Sequence, residues 1–153
     1  MATITHNGGS GGALALTHRP YILEEVIDFA IVDRDITIGT TDTVQVLKVP
    51  SNTFVSSCGW EVVTAETTNT TTQVALGDGA STGRWVASAV INATGYSAPA
   101  ATTSALGFTY VSSDTIDLLI SVDDPVNAKL RVWAVCQDIS SPNVTDYKTY
   151  TSA

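Results

Sequence analysis

The residues from 115 to 122 constrain this chain more than any other stretch. Ile116, Leu118, Ile120 and Val122 alternate with Thr115, Asp117 and Ser121, the period-two pattern of a strand with one face buried and one wet. Similar short segments, rich in threonine and valine, recur along the chain. They fall at 23–32, 43–49, 54–64, 72–76, 84–91, 107–111 and 128–139, and Gly, Asn, Asp and Pro separate them. About eight strands at this spacing predict an all-β, antiparallel, two-sheet β-sandwich of the jelly-roll or Greek-key kind. An α/β arrangement is disfavoured because no amphipathic helical stretch lies between the strands. Residues 98–106 are rich in small side chains and read as a loop.

The turns have their own chemistry. Pro50-Ser51-Asn52 ends one strand, and Gly77-Asp78-Gly79 with Gly83 predicts a long turn before Arg84. Asp123-Asp124-Pro125 separates the last two long strands. In the final strand Leu130, Val132, Ala134 and Cys136 face one way, while Arg131, Trp133, Val135 and Gln137 face the other. Both faces are partly apolar, which predicts a central strand or an oligomer contact. Arg131 and Trp133 share a face and are the candidate subunit interface, with the indole in a second core, at an interface, or stacked under the guanidinium.

Length and composition predict one folded domain: 153 residues, 44% hydrophobic and 14% charged. Three parts are expected: an N-terminal arm over 1–20, a sandwich over 21–140 and an extended tail over 141–153. The first part contains Asn7-Gly8-Gly9-Ser10-Gly11-Gly12, too glycine-rich to hold structure unaided, and then Ala13-Leu14-Ala15-Leu16. It reads either as a disordered or appended tail, or as a flexible arm that orders on a partner through Ile4, Leu14 and Leu16. Tyr21, where the arm joins the domain, and Tyr147 and Tyr150 in the tail are further candidate partner contacts.

Charge and residue inventory exclude several functions. Fifteen acids stand against seven bases, a net charge of −8, and the bases are scattered apart from Lys129 and Arg131. A phosphate-backbone ligand needs clustered cations, so no nucleic-acid partner is expected. No apolar stretch approaches a membrane span, and no basic start with an apolar run follows Met1, so synthesis in the cytoplasm is expected with no membrane partner. Without an export signal the Asn-X-Thr triplets at Asn69, Asn92 and Asn143 carry no meaning. Cys58 and Cys136 lie in strand-like runs and read as core thiols rather than a disulfide.

No enzyme chemistry is expected either. Both histidines, His6 and His18, lie in the arm, so the folded part offers no imidazole for a nucleophile–base pair or a typical zinc site. Glu24, Glu25, Glu61, Glu66, Asp114 and Asp117 supply carboxylates of the type a glycosidase uses, yet scattered acids are ordinary on a sandwich surface. Asp123-Asp124 and Asp78 lack the spacing of a calcium loop and read as capping residues. The stretch 77–83 lacks the lysine of a phosphate loop. No cofactor, metal or catalytic residue is assigned.

One further signal is the order and wording of the segments. Residues 44–50 (VQVLKVP), Thr53-Phe54-Val55, 60–66 (WEVVTAE), 74–79 (VALGDG), Thr115-Ile116-Asp117-Leu118 and 130–135 (LRVWAV) resemble small virion structural proteins of tailed bacteriophages, including cyanophages. The resemblance runs over about 21–140. It implies a capsid decoration or cement protein that docks on the outer head surface, commonly as a homotrimer, and clamps neighbouring major capsid subunits. The expected partners are then the major capsid protein and further copies of this chain, in the virion after synthesis in the host cytoplasm. A tail-side fibre, spike or adaptor is the alternative class. A carbohydrate-binding module using Tyr96, Tyr110 or Trp85 as a sugar platform ranks last.

Overall fold

The computed structural model describes residues 19–31, 38–97 and 107–140. Nine strands form two antiparallel sheets: β1 (Tyr21–Asp28), β2 (Thr43–Val49), β3 (Thr53–Thr64), β4 (Gln73–Asp78), β5 (Ser81–Val90), β6 (Gly95–Ser97), β7 (Phe108–Tyr110), β8 (Asp114–Ser121) and β9 (Lys129–Asp138). The first sheet runs β1-β9-β3-β6, with β7 also on β3; the second runs β2-β8-β4-β5. The pairing is nested: β1 with β9, β2 with β8, β3 with β6 and β7, and β4 with β5. This is the winding of a jelly roll, a long two-stranded ribbon whose tip is the β4–β5 hairpin. The ribbon is closed on itself where β9 meets β3 and β8 meets β4.

Each predicted strand region holds a strand, and three details differ. The first strand covers Tyr21–Asp28 instead of 23–32, because the Asp28 carboxylate accepts from the Ala30 amide and turns the chain. The long turn predicted at 77–83 is a two-residue loop, Gly79-Ala80. Asp78 Oδ1 accepts from the amides of Ala80 and Ser81, so Gly77 and Gly83 lie inside strands. Gly77 is required there, since a Cβ would sit 2.0 Å from the Ser81 carbonyl oxygen. The short strand β6 carried too few residues to show a period. Residues 98–106, both histidines, Ile4, Leu14, Leu16, Tyr147 and Tyr150 lie outside the described residues.

Alternation decides what fills the space between the sheets. Val55, Cys58, Trp60 and Val62 of β3 and Leu130, Val132, Ala134 and Cys136 of β9 come from the first sheet. Leu47 and Val49 of β2, Val74 and Leu76 of β4, Trp85 and Val86 of β5 and Ile116, Leu118 and Ile120 of β8 come from the second; all are buried. Both cysteines are buried and unpaired. Burial, with the neighbouring Cys136, pushes the Cys58 thiol far above its ordinary range, and burial pushes Cys136 up to about 11, so both stay as inert thiols.

Polar groups tie the sandwich at its two ends. At one end Glu66, fully buried, lies just after β3. Its Oε1 accepts from the amides of Thr68 and Asn69, and its Oε2 from those of Val126, Asn127 and Ala128, at 2.7–3.2 Å. The Glu66 amide donates to the Ile91 carbonyl, and Ile91 N–H donates to Thr72. One carboxylate thus joins the β3–β4 and β8–β9 crossings, and its backbone joins the chain leaving β5. Burial alone would raise its pKa; the amides of Asn127, Val126, Asn69 and Thr68 outweigh it and hold the carboxyl below its usual range.

At the other end Asp78, also buried, binds Arg84 Nε and accepts from the Tyr110 hydroxyl at 3.0 Å, while Trp85 Nε1 donates to that hydroxyl at 3.3 Å. The Arg84 guanidinium lies 3.7 Å from the Phe108 ring centroid, and Phe108 meets Tyr110 edge to face at 4.9 Å. The cluster joins the ribbon tip in one sheet to β7 in the other.

Among the described residues Asp117, Trp60 and Arg131 each bury a side-chain atom without a hydrogen-bond partner. The alternation of β8 placed Asp117 on a wet face, but it is buried, and its Oδ1 has no hydrogen-bond partner. It lies on the central strand β8, opposite Gln45 on one side and Gly77 on the other. Burial first, and then the nearby Asp114 and Asp78 charges, raise its pKa against a hydrogen bond from Thr115.

These two carboxylates act on stability with opposite sign. The Glu66 pKa is lower folded than unfolded, so its contribution is present above the unfolded value of about 4.3 and is lost as pH falls through the folded value. Asp117 is raised, so its contribution is present below about 3.9 and lost as pH rises through its folded value. Glu66→Gln therefore lowers stability by about 3 kcal/mol or more at pH 7 and flattens the acid limb, because five amides lose a carboxylate acceptor. Asp117→Asn raises the urea midpoint at pH 7 and not at pH 3. Urea unfolding of the three proteins across pH 3–7 checks both.

Candidate interaction surface

The outer face of the first sheet is built by the residues that the core leaves behind. Antiparallel register sets them in rows across the strands. One row reads Val26, Arg131, Glu61, Tyr96; the next Glu24, Trp133, Gly59; the next Ile22, Val135, Ser57. Each row crosses β1, β9 and β3, and the first continues onto β6. Gly59, with no side chain to compete, faces Trp133 and is itself buried. Together Ile22, Glu24, Tyr96, Arg131 and Trp133 line a shallow groove of about 250 Å³.

The electrostatics of this face are local and balanced. Arg131 Nη2 binds Glu61 Oε2 at 2.6 Å, and Nη1 lies 3.8 Å from Glu24 Oε1. One cation on the central strand thereby joins its two neighbours, and Glu61 leads the effects that hold the guanidinium pKa above its ordinary value. Arg131 Nε is buried without a partner. Around this pair the face is apolar and open: Ile22 is 66% exposed, Val26 43% and Tyr96 72%. Trp133 is half-buried among them. Apolar area around a few anchored charges is what a protein-binding patch requires.

Of the residues singled out from sequence, the structure brings together Arg131 and Trp133, as expected, and adds Ile22, Glu24, Glu61 and Tyr96. Glu24, Glu61 and Tyr96 were considered above for other roles; that they meet here with Ile22 follows from register, since the four lie on three other strands. Tyr21 starts β1 half-buried and packs against the core instead of standing free. The cation stacked on a ring is Arg84 over Phe108, in place of a stack between Arg131 and Trp133. Trp85 and Tyr110, considered as a sugar platform, are 1% and 3% exposed, so neither ring is available to a ligand.

Several of the other candidate acids are engaged by neighbouring groups of the fold. Glu66 is spent on five amides. In the loop before β9, Asp124 Oδ1 accepts from the amide and hydroxyl of Thr40, the hydroxyl at 2.7 Å, and Asp123 Oδ1 accepts from the Asp124 amide. The hydrogen bonds from Thr40 hold Asp124 below the usual carboxylate range. Among the described residues no group of three or more His, Cys, Asp or Glu is placed to hold a metal ion. No helix there is long and apolar enough to cross a membrane.

The difference between core and surface indoles is measurable. Trp85→Ala is expected to cost about 3–5 kcal/mol, a buried large-to-small change. Trp133→Ala is expected to cost under about 1.5 kcal/mol because its pocket opens to solvent. Denaturant unfolding of both variants checks the assignment.

Two solved structures share this fold. A chain of the acidic stable capsid structure of Helicobacter pylori bacteriophage KHP30 aligns with a TM-score of 0.58 and 15% identity, covering 78% of this chain and 89% of that one. A chain of the cyanophage Pam1 capsid asymmetric unit aligns with a TM-score of 0.60 and 18% identity, covering 89% of this chain and 93% of that one. No protein-family model and no curated protein sequence matches the chain.

Proposed function

We propose that this protein is a phage capsid component of the decoration or cement type, bound to the outer surface of the head and holding neighbouring major capsid subunits together. The observation that carries the reading is the likeness to chains of two phage capsid structures, which covers 78% and 89% of this chain. The internal chemistry agrees with it. The buried carboxylates at the two ends serve the fold, and the available surface is a sheet face that suits a neighbouring protein subunit.

In this reading the outer face of the β1-β9-β3-β6 sheet is the contact with a neighbouring subunit, with Trp133 as the rigid anchor and Arg131 as the fixed charge at its centre. Residues 1–18 and 141–153 extend the footprint through Ile4, Leu14, Leu16, Tyr147 and Tyr150. A homotrimer engaging several capsid subunits multiplies weak contacts into slow detachment, because all of them must open together. No catalytic step and no cofactor is part of the role.

Quantitative mass spectrometry of purified virions tests the proposal through the copy number of this chain relative to the major capsid protein. A comparable number supports head decoration. A few copies per particle would move the protein to the tail or a single vertex, and absence from particles would overturn the virion role. Trp133→Ala is expected to reduce occupancy on heads about tenfold or more with the fold intact, since central aromatic anchors dominate such interfaces.

A further inference from the structure

We infer that the outer face of the first sheet packs against the same face of a second copy of this chain. The inference rests on the reading of this face as a subunit contact and names its occupant. Charge is the first argument. The face carries Lys129 and Arg131 on β9, Glu24 and Asp28 on β1 and Glu61 on β3. Arg131 is paired with Glu61 and Glu24, and Lys129 Nζ binds Asp28 Oδ2 at 2.7 Å. Two bases against three acids leave −1 here, so −7 of the chain's net −8 lies elsewhere. Two copies of so acidic a chain repel one another over most of their surface, and this face is where they meet with least repulsion.

The ion pairs also leave capacity for exchange across the contact. Arg131 holds Glu61 at 2.6 Å but Glu24 only at 3.8 Å, and the Glu24 side chain is 48% exposed. A guanidinium carries five N–H donors in a fork, so each copy offers both a spare donor and a spare acceptor. A surface with both is complementary to itself, as a contact between identical faces requires. A strongly charged foreign partner finds no large counter-charge here to steer it. A same-face contact is two-fold, so it joins copies in pairs and is distinct from any three-fold contact within the proposed homotrimer.

Apolar area is the second argument. Ile22, Val26 and Tyr96 stand exposed around Trp133. The outer face of the second sheet is polar instead: Gln45, Gln73 and Ser121 lie there, and Ser88 is hydrogen-bonded to Gln73 and Ser121. Four strands at about 4.8 Å and eight residues at about 3.4 Å give the first sheet a face of roughly 500 Å². Two copies then bury roughly 1,000 Å², the area at which specific interfaces begin.

The test is made on the purified full chain with no capsid present, by sedimentation equilibrium and by acrylamide quenching of tryptophan fluorescence. Trp60 and Trp85 are 3% and 1% exposed, so half-buried Trp133 is the indole that the quencher reaches. The expected result is reversible self-association in which quenching falls as protein concentration rises. Ile22→Glu adds a charge at an exposed site and Trp133→Ala removes the anchor; each is expected to weaken association about tenfold or more. Val122→Glu, at an exposed site in the loop before β9, is the control and leaves association as it is in the unaltered chain. Added salt is expected to strengthen association, because it screens the repulsion between two acidic copies. A monomeric chain, association unaffected by Ile22→Glu with the urea midpoint retained, or quenching independent of concentration would each overturn the inference. The virion role is read separately. A chain that associates through this face and is absent from virions supports the inference and overturns the capsid role; a monomeric chain at capsid copy number does the reverse.

Discussion

A buried carboxylate without a cation is costly unless its oxygens are filled, and Glu66 fills both with five backbone amides. The rest of the sandwich depends on this arrangement, because it stands where the chain passes between sheets. β3 hands over to β4 there, β8 to β9, and the residue after β5 is bonded to the same loop. In a jelly roll these crossings are the points at which hydrophobic alternation no longer guides the backbone. The loop amides need acceptors that the sheets do not supply. One side chain supplies an acceptor to five of them, from the β3–β4 and β8–β9 loops. Asp78 does a comparable task at the other end through Arg84 and Tyr110.

With both ends closed by internal polar groups and the middle filled by aliphatic and indole side chains, the chemistry of the inner faces is spent. What the fold leaves apolar and open lies on the outer face of the first sheet, around Ile22, Val26 and Tyr96. Arg131 stiffens that face by binding carboxylates on strands to either side, so Trp133 and Tyr96 are held on a supported surface. A rigid patch loses little conformational freedom when a partner covers it.

The strands were legible in the sequence because period-two alternation marks a sheet residue by residue, as in Leu130 to Gln137. The Asp78 turn was only half legible. Gly77-Asp78-Gly79 marks a reversal, but the two-residue loop depends on a carboxylate capping two amides and on a bulged register. Strand β6 escaped notice, since three residues carry no period. Trp85 and Tyr110 had the same local signature as a surface aromatic, and their burial follows from packing across sheets. Arg131 and Trp133 were recognisable as a pair on one strand; Glu24, Glu61, Ile22 and Tyr96 joined them only through register.

By itself, the sequence determined the class of the protein: all-β, acidic, free of imidazole after His18, with both cysteines in strands and both faces of the last strand partly apolar. These are local properties, written in side-chain alternation and residue inventory. Which strands pair, and so which outward side chains meet, was decided by tertiary structure alone, as was the capture of distant loop amides by Glu66 and the burial of Asp117 on a nominally wet face. Each of these depends on residues from strands or loops far apart in the chain. Alternation along one strand states which side a residue takes and carries no information about which neighbour it will find there.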